Sequence, residues 1–262
     1  KSKRVAFFAS ILYILLPLTL LYDRMALYDS LVATFSIWNL TLAILLVRTL
    51  RLDVALIFGL LLGAGMLNKT NGFLSLYLLP LTLILFDWKN SHWMKRLVRW
   101  VALAVLAGVL SQILYSVLRL SPLLHMVKAK DALFVYPISE WLLHPFRFLE
   151  GNLRGMFDWL WRYISVPMVV AVLWAVFGRN ITRERLLLFL WWVLPFFLLA
   201  MFGKVLYPRY ILFMVMPLLV LTAMSADWIM KHVKRPFVTA FLFALLIIPS
   251  VNASMHLLVD PS

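Results

Sequence analysis

Nine long runs of apolar residues follow one another along the chain, with short polar interruptions between them. The runs cover about residues 5–22, 30–47, 54–67, 72–86, 97–118, 163–177, 186–202, 211–229 and 237–258. A helix needs ~20 predominantly apolar residues to cross a bilayer, and several runs fall short of that length. The pattern predicts an all-α fold, a polytopic transmembrane bundle of about nine helices.

The two weakest runs lie on either side of Lys69, and they fit either one long broken helix or a hairpin of two helices. Arg48 and Arg51 precede this pair of runs, and four basic residues follow it, namely Lys89, Lys95, Arg96 and Arg99. Because Lys and Arg collect in cytoplasmic loops, basic residues at both ends of the pair favour the hairpin.

Composition excludes a water-soluble domain. The 262 residues are 64% hydrophobic and 14% charged, whereas ordinary soluble domains are ~45–50% apolar and ~25% charged. The mean hydropathy of +0.95 agrees with a membrane protein. The chain has no cysteine, which excludes a disulfide, a thiolate metal site and a cysteine nucleophile.

The net charge of +14 would suit a nucleic acid partner in a soluble protein, but in a membrane protein it reports topology. With a cytoplasmic N-terminus and nine crossings, fifteen of the 25 basic residues lie in inner loops, including Lys1 and Arg179. Three short outer loops hold four basic residues, and one long outer loop, 119–162, holds six. We therefore expect an integral protein of the plasma membrane with no nucleic acid partner, organised as one transmembrane domain over residues 1–262.

The long outer loop contains a predicted interfacial helix. A charged stripe recurs at spacings of three and four, formed by Arg147, Glu150, Arg154, Asp158 and Arg162. The opposite face is apolar, formed by Leu149, Leu153, Met156, Phe157, Leu160 and Trp161. Such a helix lies on the surface of a bilayer, and Gly151 or Gly155 is expected to break it.

Unusual ionisable residues fall in the three short outer loops. The first loop, LYDRMALYDS, holds Asp23, Arg24 and Asp29; the second, LNKTNG, holds Lys69; the third, GKVLYPRY, holds Lys204, Arg209 and Tyr210. A charge within a bilayer costs ~2.5–3.5 kcal/mol on insertion scales, so such groups pair or line a polar cavity. Transfer from a lipid-linked phosphate fits this set, because Lys and Arg stabilise the leaving phosphate and a carboxylate takes a proton from an acceptor hydroxyl.

These loops and their flanking helices resemble the polytopic glycosyltransferases of the GT-C class. The resemblance is carried, in order, by LYDRMALYDSLVATF, GLLLGAGMLNKTNGFLSLYLLPL and GKVLYPRYILFMVMPLL. The nearest branch is similar to the protein O-mannosyltransferases and lipid A aminoarabinose transferases of glycosyltransferase family 39. Such enzymes move a sugar from a polyprenyl monophosphate carrier to an acceptor outside the cytoplasm, with inversion at the anomeric carbon.

The resemblance also implies roles for individual residues and names the partners. Asp29 is the supporting carboxylate that orients acceptor or sugar, and the carrier phosphate is bound by substrate-binding residues Arg24, Lys69, Lys204, Arg209 and Tyr210. The implied partners are a polyprenyl-phosphate sugar, membrane lipids and a lipid, glycan or protein acceptor. The histidines have no metal-ligand spacing, so no metal site is predicted; a divalent cation bound by Asp29 and the family's further loop stays open.

The sequence departs from the family at its start. Family members begin with two further helices, and the loop between them carries an acidic residue regarded as central to catalysis. The first hydrophobic run here resembles the helix that follows those two in the family. The resemblance therefore implies that the main base lies upstream and that this fragment alone is inactive.

Other interpretations of the same residues stay open. Asp29 also fits the N-terminus of a helix, Lys69 also fits a side chain that reaches the membrane surface, and Asp227 fits a helix-surface pair with Lys231. A polytopic transporter or lipid flippase is the alternative function, although it needs polar residues through the middle of the bilayer, where this chain is almost wholly apolar. A non-catalytic membrane partner of a biosynthetic complex is a third reading.

Overall fold

The computed structural model describes residues 2–25, 27–178 and 181–259, apart from the side chains at 128 and 256–259. Every regular element in these ranges is a helix, which confirms the all-α fold. The α-helices are α1 Lys3–Leu15, α2 Pro17–Arg24, α3 Tyr28–Thr49, α4 Leu52–Asn68, α5 Phe73–Tyr77, α6 Trp93–Tyr115, α7 Leu124–Phe134, α8 Ile138–Leu143, α9 Leu149–Ile164, α10 Val166–Phe177, α11 Arg183–Phe202, α12 Leu212–His232 and α13 Pro236–Val259. Lys1 and Arg179, which entered the topology prediction, lie outside the described residues.

Several helices of the described ranges are long and apolar enough to cross a bilayer. Five qualify alone, and the number rises to seven if the bent pairs α1–α2 and α9–α10 each form one span. Two shorter apolar stretches, Leu52–Asn68 and Thr70–Leu85, complete the set. Each of the nine predicted runs overlaps one of these stretches. The molecule is therefore an integral membrane protein with a polytopic helix bundle.

The chain divides into two compact units. One unit comprises Tyr28–Val135, and the other comprises Lys1–Leu27 together with Tyr136–Ser262. The boundary lies inside the predicted long loop 119–162, so α7 belongs to the first of these units and α8 and α9 belong to the second. We refer to them as the central unit and the terminal unit.

In the central unit, α3 and α4 form an antiparallel pair, and α6 runs parallel to α4. Gly59 of α4 lies against Ala107, and Gly63 lies against Ser111 and Leu114, so both helices advance in the same direction. A Cβ at Gly63 would meet Leu114 at 2.8 Å. The two glycines therefore let α4 and α6 approach more closely than larger residues allow.

The chain reverses direction after α4, which confirms the predicted hairpin at Lys69. A short 3-10 turn, Thr70–Gly72, follows directly, and the Gly72 amide donates to the Lys69 carbonyl at 2.8 Å. Gly72 lies over Gly65, and a Cβ there would stand 2.5 Å from the Gly65 carbonyl carbon. Only glycine fits this close approach. The returning stretch, a 3-10 segment over Leu79–Leu85, packs against α3.

In the terminal unit, α12 is the central helix, packed by α1, α10 and α11. Residues on every side of it are buried, among them Leu212, Met214, Leu218, Leu221 and Ala226. A helix that is apolar all round is expected at the centre of a membrane bundle. At its far end Asp227 bonds to Lys231 with an Oδ2–Nζ distance of 2.5 Å. The predicted pair is confirmed, but its surface position is wrong for Asp227, which is buried against the bundle.

Helix α9 is amphipathic, as its sequence predicts, but it is continuous. Ion pairs join Glu150 to Arg154 and Asp158 to Arg162 one turn apart, and Met156 on the opposite face is buried. The prediction of a break at Gly151 or Gly155 is wrong, because both lie inside one helix. At Ser165, which has a φ of 61°, the chain bends by 102° into α10.

Candidate functional site

Asp29 and Lys69 meet in the central unit, although 40 residues separate them in the sequence. Asp29 lies in the first turn of α3, where the partial positive charge of a helix N-terminus favours a carboxylate. Lys69 follows the last residue of α4 in extended conformation, and its amide donates to the Gly65 carbonyl. The Nζ–Oδ1 distance is 2.5 Å, with 7% of the Asp29 side chain and 23% of the Lys69 side chain exposed. The first and second predicted loops therefore share one polar site.

A second bond holds these loops together. The side-chain amide of Asn68 donates to the Tyr28 carbonyl at 3.0 Å, so residues adjacent to each member of the ion pair are also joined. The close fit of Gly72 on Gly65 fixes the turn beyond Lys69. Both partners of the ion pair consequently sit on helix ends whose backbone positions are set by other contacts.

The structure adds Asp131, a carboxylate that the sequence interpretation did not select. Asp131 lies on α7 and is half-buried. Burial raises the pKa of the Asp131 carboxyl, and the bond from Thr70 partly opposes that shift. Because Thr70 directly follows Lys69, Asp131 lies near the turn whose ammonium contacts Asp29.

A sequence signal for Asp131 does exist. It is the only acidic residue between Arg119 and Tyr136, and it ends the basic stretch KAKD just before the apolar residues ALFVY. An acidic residue among basic ones on the predicted outer side stands out as much as Lys69 does. Its proximity to Thr70, which lies 61 positions earlier, follows only from the tertiary fold.

The third predicted loop, Gly203–Tyr210, lies in the terminal unit and combines cations with aromatic rings. The guanidinium carbon of Arg209 stands 4.4 Å from the centre of the Tyr207 ring and 5.7 Å from that of Tyr210. The ammonium of Lys204 stands 5.8 Å from the centre of the Tyr136 ring. Such contacts contribute about 0.5–1 kcal/mol each at exposed sites and orient the cationic groups.

Contacts with α9 and its approach fix the start of this loop. The Asn152 side-chain amide donates to the carbonyls of Ala200 and Gly203 at 2.9 and 2.7 Å. The Tyr136 amide donates to the Phe202 carbonyl at 2.6 Å, and the Tyr136 ring is buried against Phe148. Two carbonyls in the last turn of α11, those of Ala200 and Phe202, are thereby paired. The amphipathic helix is fastened to the segment that carries Lys204 and Arg209.

Arg24, the remaining predicted phosphate contact, is exposed at the end of α2. Its neighbour Asp23 accepts a hydrogen bond from the Tyr13 hydroxyl of α1. Of the predicted site residues, Asp29 and Lys69 come together within the central unit. Arg209 and Tyr210 come together within the terminal unit, on the loop that also carries Lys204. In the residues that the structure describes, no three His, Asp or Glu side chains are placed to hold a metal ion.

No family model, curated protein or solved structure matches this chain. The Arg209 guanidinium is a planar fork of N–H donors, which suits two oxygens of one phosphate. The turn at Lys69 offers a primary ammonium, a hydroxyl and two carboxylates. This combination can bind a hydroxyl compound and accept its proton.

Proposed function

We propose that the protein is a glycosyltransferase of the plasma membrane, which moves a sugar from a polyprenyl-phosphate carrier to an acceptor hydroxyl on the extracytoplasmic side. The observation that carries the proposal is the Asp29–Lys69 pair, since it joins two of the three loops on which the GT-C resemblance depends. The location of this pair at the ends of apolar helices supports chemistry at a membrane surface. The ordered resemblance of the three loops supports the choice of a lipid-linked sugar.

The proposed roles follow from the charge of each side chain and from the groups that it contacts. Arg209 and Lys204 bind the carrier phosphate, with Tyr210 beside Arg209 and Arg24 as a further cation. In the central unit, Lys69 is the cation available to a phosphate oxygen, and Asp29 orients the acceptor or the sugar. A divalent cation at Asp29 is compatible with the carboxylate but is not required by these roles.

The proposed reaction is a single displacement at the anomeric carbon. The acceptor oxygen bonds to the anomeric carbon from one face, while the bond between that carbon and the phosphate oxygen breaks on the other face, so the configuration inverts. The electron pair of the broken bond leaves with the polyprenyl phosphate. Arginine and lysine stabilise the charge that develops on this phosphate, and a carboxylate receives the proton of the acceptor hydroxyl.

The first test measures binding of a radiolabelled polyprenyl-phosphate sugar to the complete protein and to Arg209→Ala and Lys69→Ala. Hydrogen bonds to charged groups contribute about 1.5–3 kcal/mol, so each variant should bind about 10–100-fold more weakly. Lys234→Ala is the matched control, because Lys234 is an exposed cation between α12 and α13. Unchanged affinity in both site variants would remove the proposed phosphate clamp.

The second test separates transfer from transport. Proteoliposomes that contain the complete protein receive labelled carrier-linked sugar and a panel of lipid, glycan and peptide acceptors. The proposal expects labelled acceptor together with free polyprenyl phosphate. Movement of intact carrier between leaflets without either product would support the flippase instead.

A further inference from the structure

Four cations lie at the start of α6, in the connection before it and in its first two turns. They are Lys89, Lys95, Arg96 and Arg99, and we refer to them as the basic start of α6. One acidic residue, Asp87, accompanies them in the sequence between 86 and 100. Three of the four cationic residues are exposed, and the fourth, Arg96, is half-buried. This end of the central unit therefore presents a surplus of positive charge.

Neither the helix nor its neighbours balance this charge. A helix N-terminus carries partial positive charge, which disfavours Lys and Arg close to it. The first turn of α6 contains no acidic residue, and the N-cap, His92, makes no capping hydrogen bond through its side chain. Within the described residues none of the four cations forms an ion pair, and the buried Nε of Arg96 has no hydrogen-bond partner there. An anion outside the helix would stabilise this arrangement.

Packing against α4 sets the depth of these cations in the membrane. Gly59 of α4 lies against Ala107 of α6, and counting back along the two parallel helices places Arg99 level with Arg51, which directly precedes α4. Lys95 lies one turn earlier, about 5–6 Å farther out at 1.5 Å per residue. The headgroup layer occupies about 5–8 Å on each side of the ~30 Å hydrocarbon core. A cation one turn beyond the apolar part of α4 therefore lies at the depth of the lipid phosphates.

Tryptophan side chains mark the same level. Trp88 and Trp93 are 44% and 38% exposed, and the centres of their rings stand 5.9 Å apart. Trp88 donates its indole N–H to the Leu83 carbonyl at 3.0 Å and packs edge-on against the buried ring of Phe86. Tryptophan is enriched at the boundary between bilayer and water. The cations and the exposed indole rings therefore share one level of the bilayer.

We propose that the basic start of α6 binds the anionic headgroups of phospholipids in the adjoining leaflet. Lys95 and Arg96 donate hydrogen bonds to lipid phosphate oxygens, and the indole rings contact the upper part of the acyl chains. A lipid fits better than a soluble polyanion because Met94 and Val98, which alternate with the cations, are 55% and 62% exposed and gain from acyl chains. This inference does not depend on the proposed sugar transfer.

The test measures which lipid lies next to the basic start of α6. The complete protein with Ser91→Cys carries a fluorescent maleimide at this position alone, because the chain has no cysteine. It is reconstituted in phosphatidylcholine that contains a fixed fraction of either brominated phosphatidylglycerol or brominated phosphatidylcholine, whose bromine quenches a nearby dye. Each Lys or Arg near an anionic surface contributes about fivefold, so phosphatidylglycerol should be enriched at least about fivefold. About 1 M NaCl should abolish most of this enrichment, since the Debye length falls to ~3 Å.

Charge variants test which cations are responsible. Lys95→Gln combined with Arg99→Gln removes two exposed cations and should bring the ratio of the two lipids close to one. Arg119→Gln combined with Lys130→Gln is the matched control, because it removes two exposed cations beyond the far end of α6, and it should keep the enrichment. The salt series needs no charge variant and so does not depend on how the variants fold. Equal quenching by the two lipids at low salt would indicate a soluble partner and overturn the proposal, as would an enrichment that neither salt nor the first pair of substitutions reduces.

Discussion

At the residue scale, the Asp29–Lys69 pair balances two opposing terms. Removing charges from water costs several kcal/mol per ion, and only a well-placed partner compensates for it. Asp29 is the more deeply buried member, while Lys69 keeps part of its surface in solvent. The pair therefore couples α3 to α4 more strongly than a surface ion pair does, and less strongly than a fully buried one.

A double-mutant cycle on Asp29→Ala and Lys69→Ala should reveal this coupling. We expect about 1–3 kcal/mol of interaction free energy, since contacting residues are not additive. Thermal unfolding in detergent micelles measures it. The control cycle uses Arg51 and Asp53, a pair on the same unit that is largely exposed, where the coupling should be indistinguishable from zero. Equal coupling in both cycles would contradict a buried role for the Asp29–Lys69 pair.

Asp131 should affect stability in a direction set by its raised pKa. A carboxyl whose folded pKa exceeds its unfolded value of about 3.9 binds protons more tightly in the folded state. The folded state therefore loses stability as pH rises from that value through the folded pKa. Asn cannot titrate, so the Tm of Asp131→Asn relative to wild type should increase between about pH 4 and about pH 7. A difference in Tm that does not change with pH would contradict partial burial of this carboxyl.

At the scale of elements, a glycine in the predicted hairpin and a glycine in the interfacial helix differ in the space that a side chain would have. Gly72 lies against the backbone of Gly65, whereas a Cβ at Gly151 would meet nothing within 4 Å. The sequence places Gly72 in a predicted loop and Gly151 in a predicted helix, but neither setting indicates what a Cβ would meet at that position. The expected break at Gly151 fails since one glycine costs only about 1 kcal/mol, while burial of Met156, Leu160 and Ile164 holds α9 in place.

Gly72→Ala and Gly151→Ala should therefore change stability in opposite directions. Overpacking against a fixed backbone destabilises by about 1–3 kcal/mol or more, so Gly72→Ala should lower the Tm and loosen the turn that carries Lys69 and Thr70. Gly151→Ala should raise stability by about 0.5–1 kcal/mol, because alanine restricts the unfolded chain and favours helix. Thermal unfolding of the two variants under one condition checks both. A stabilising Gly72→Ala would show that the turn is looser than the contacts indicate.

The spacing of residues along the sequence predicts helices better than it predicts contacts between distant residues. The three- and four-residue spacing of Arg147 to Arg162 indicates α9 because each interacting pair is local. The anchoring of α9 by Asn152 to the end of α11, almost 50 residues away, depends on tertiary packing. The same holds for Asp131, whose contact with Thr70 joins a loop helix to a turn between membrane helices.

At the scale of the whole molecule, six of the ten basic residues of the central unit lie at one end of its helices. Arg48 and Arg51 lie where α3 meets α4, and the basic start of α6 lies at the same end because α6 runs parallel to α4. Asp29, Lys69 and Asp131 lie at the opposite end. By the positive-inside rule we expect the Arg48 end to be cytoplasmic, which would place the candidate site on the other side of the membrane.

The absence of cysteine makes sidedness directly measurable with single-cysteine variants. Asn71→Cys marks the Lys69 turn, Ser91→Cys marks the basic end of the central unit, and Val205→Cys marks the loop that carries Arg209. In intact cells an impermeant maleimide should label Cys at 71 and 205, and it should label Cys at 91 only after permeabilisation. Labelling in denaturant is the control. It shows that each cysteine can react with the maleimide, so weak labelling in cells is not due to tight packing. If position 71 labels from the cytoplasmic side, the Lys69 turn lies on the wrong side of the membrane for transfer to an extracytoplasmic acceptor, and the proposed function fails.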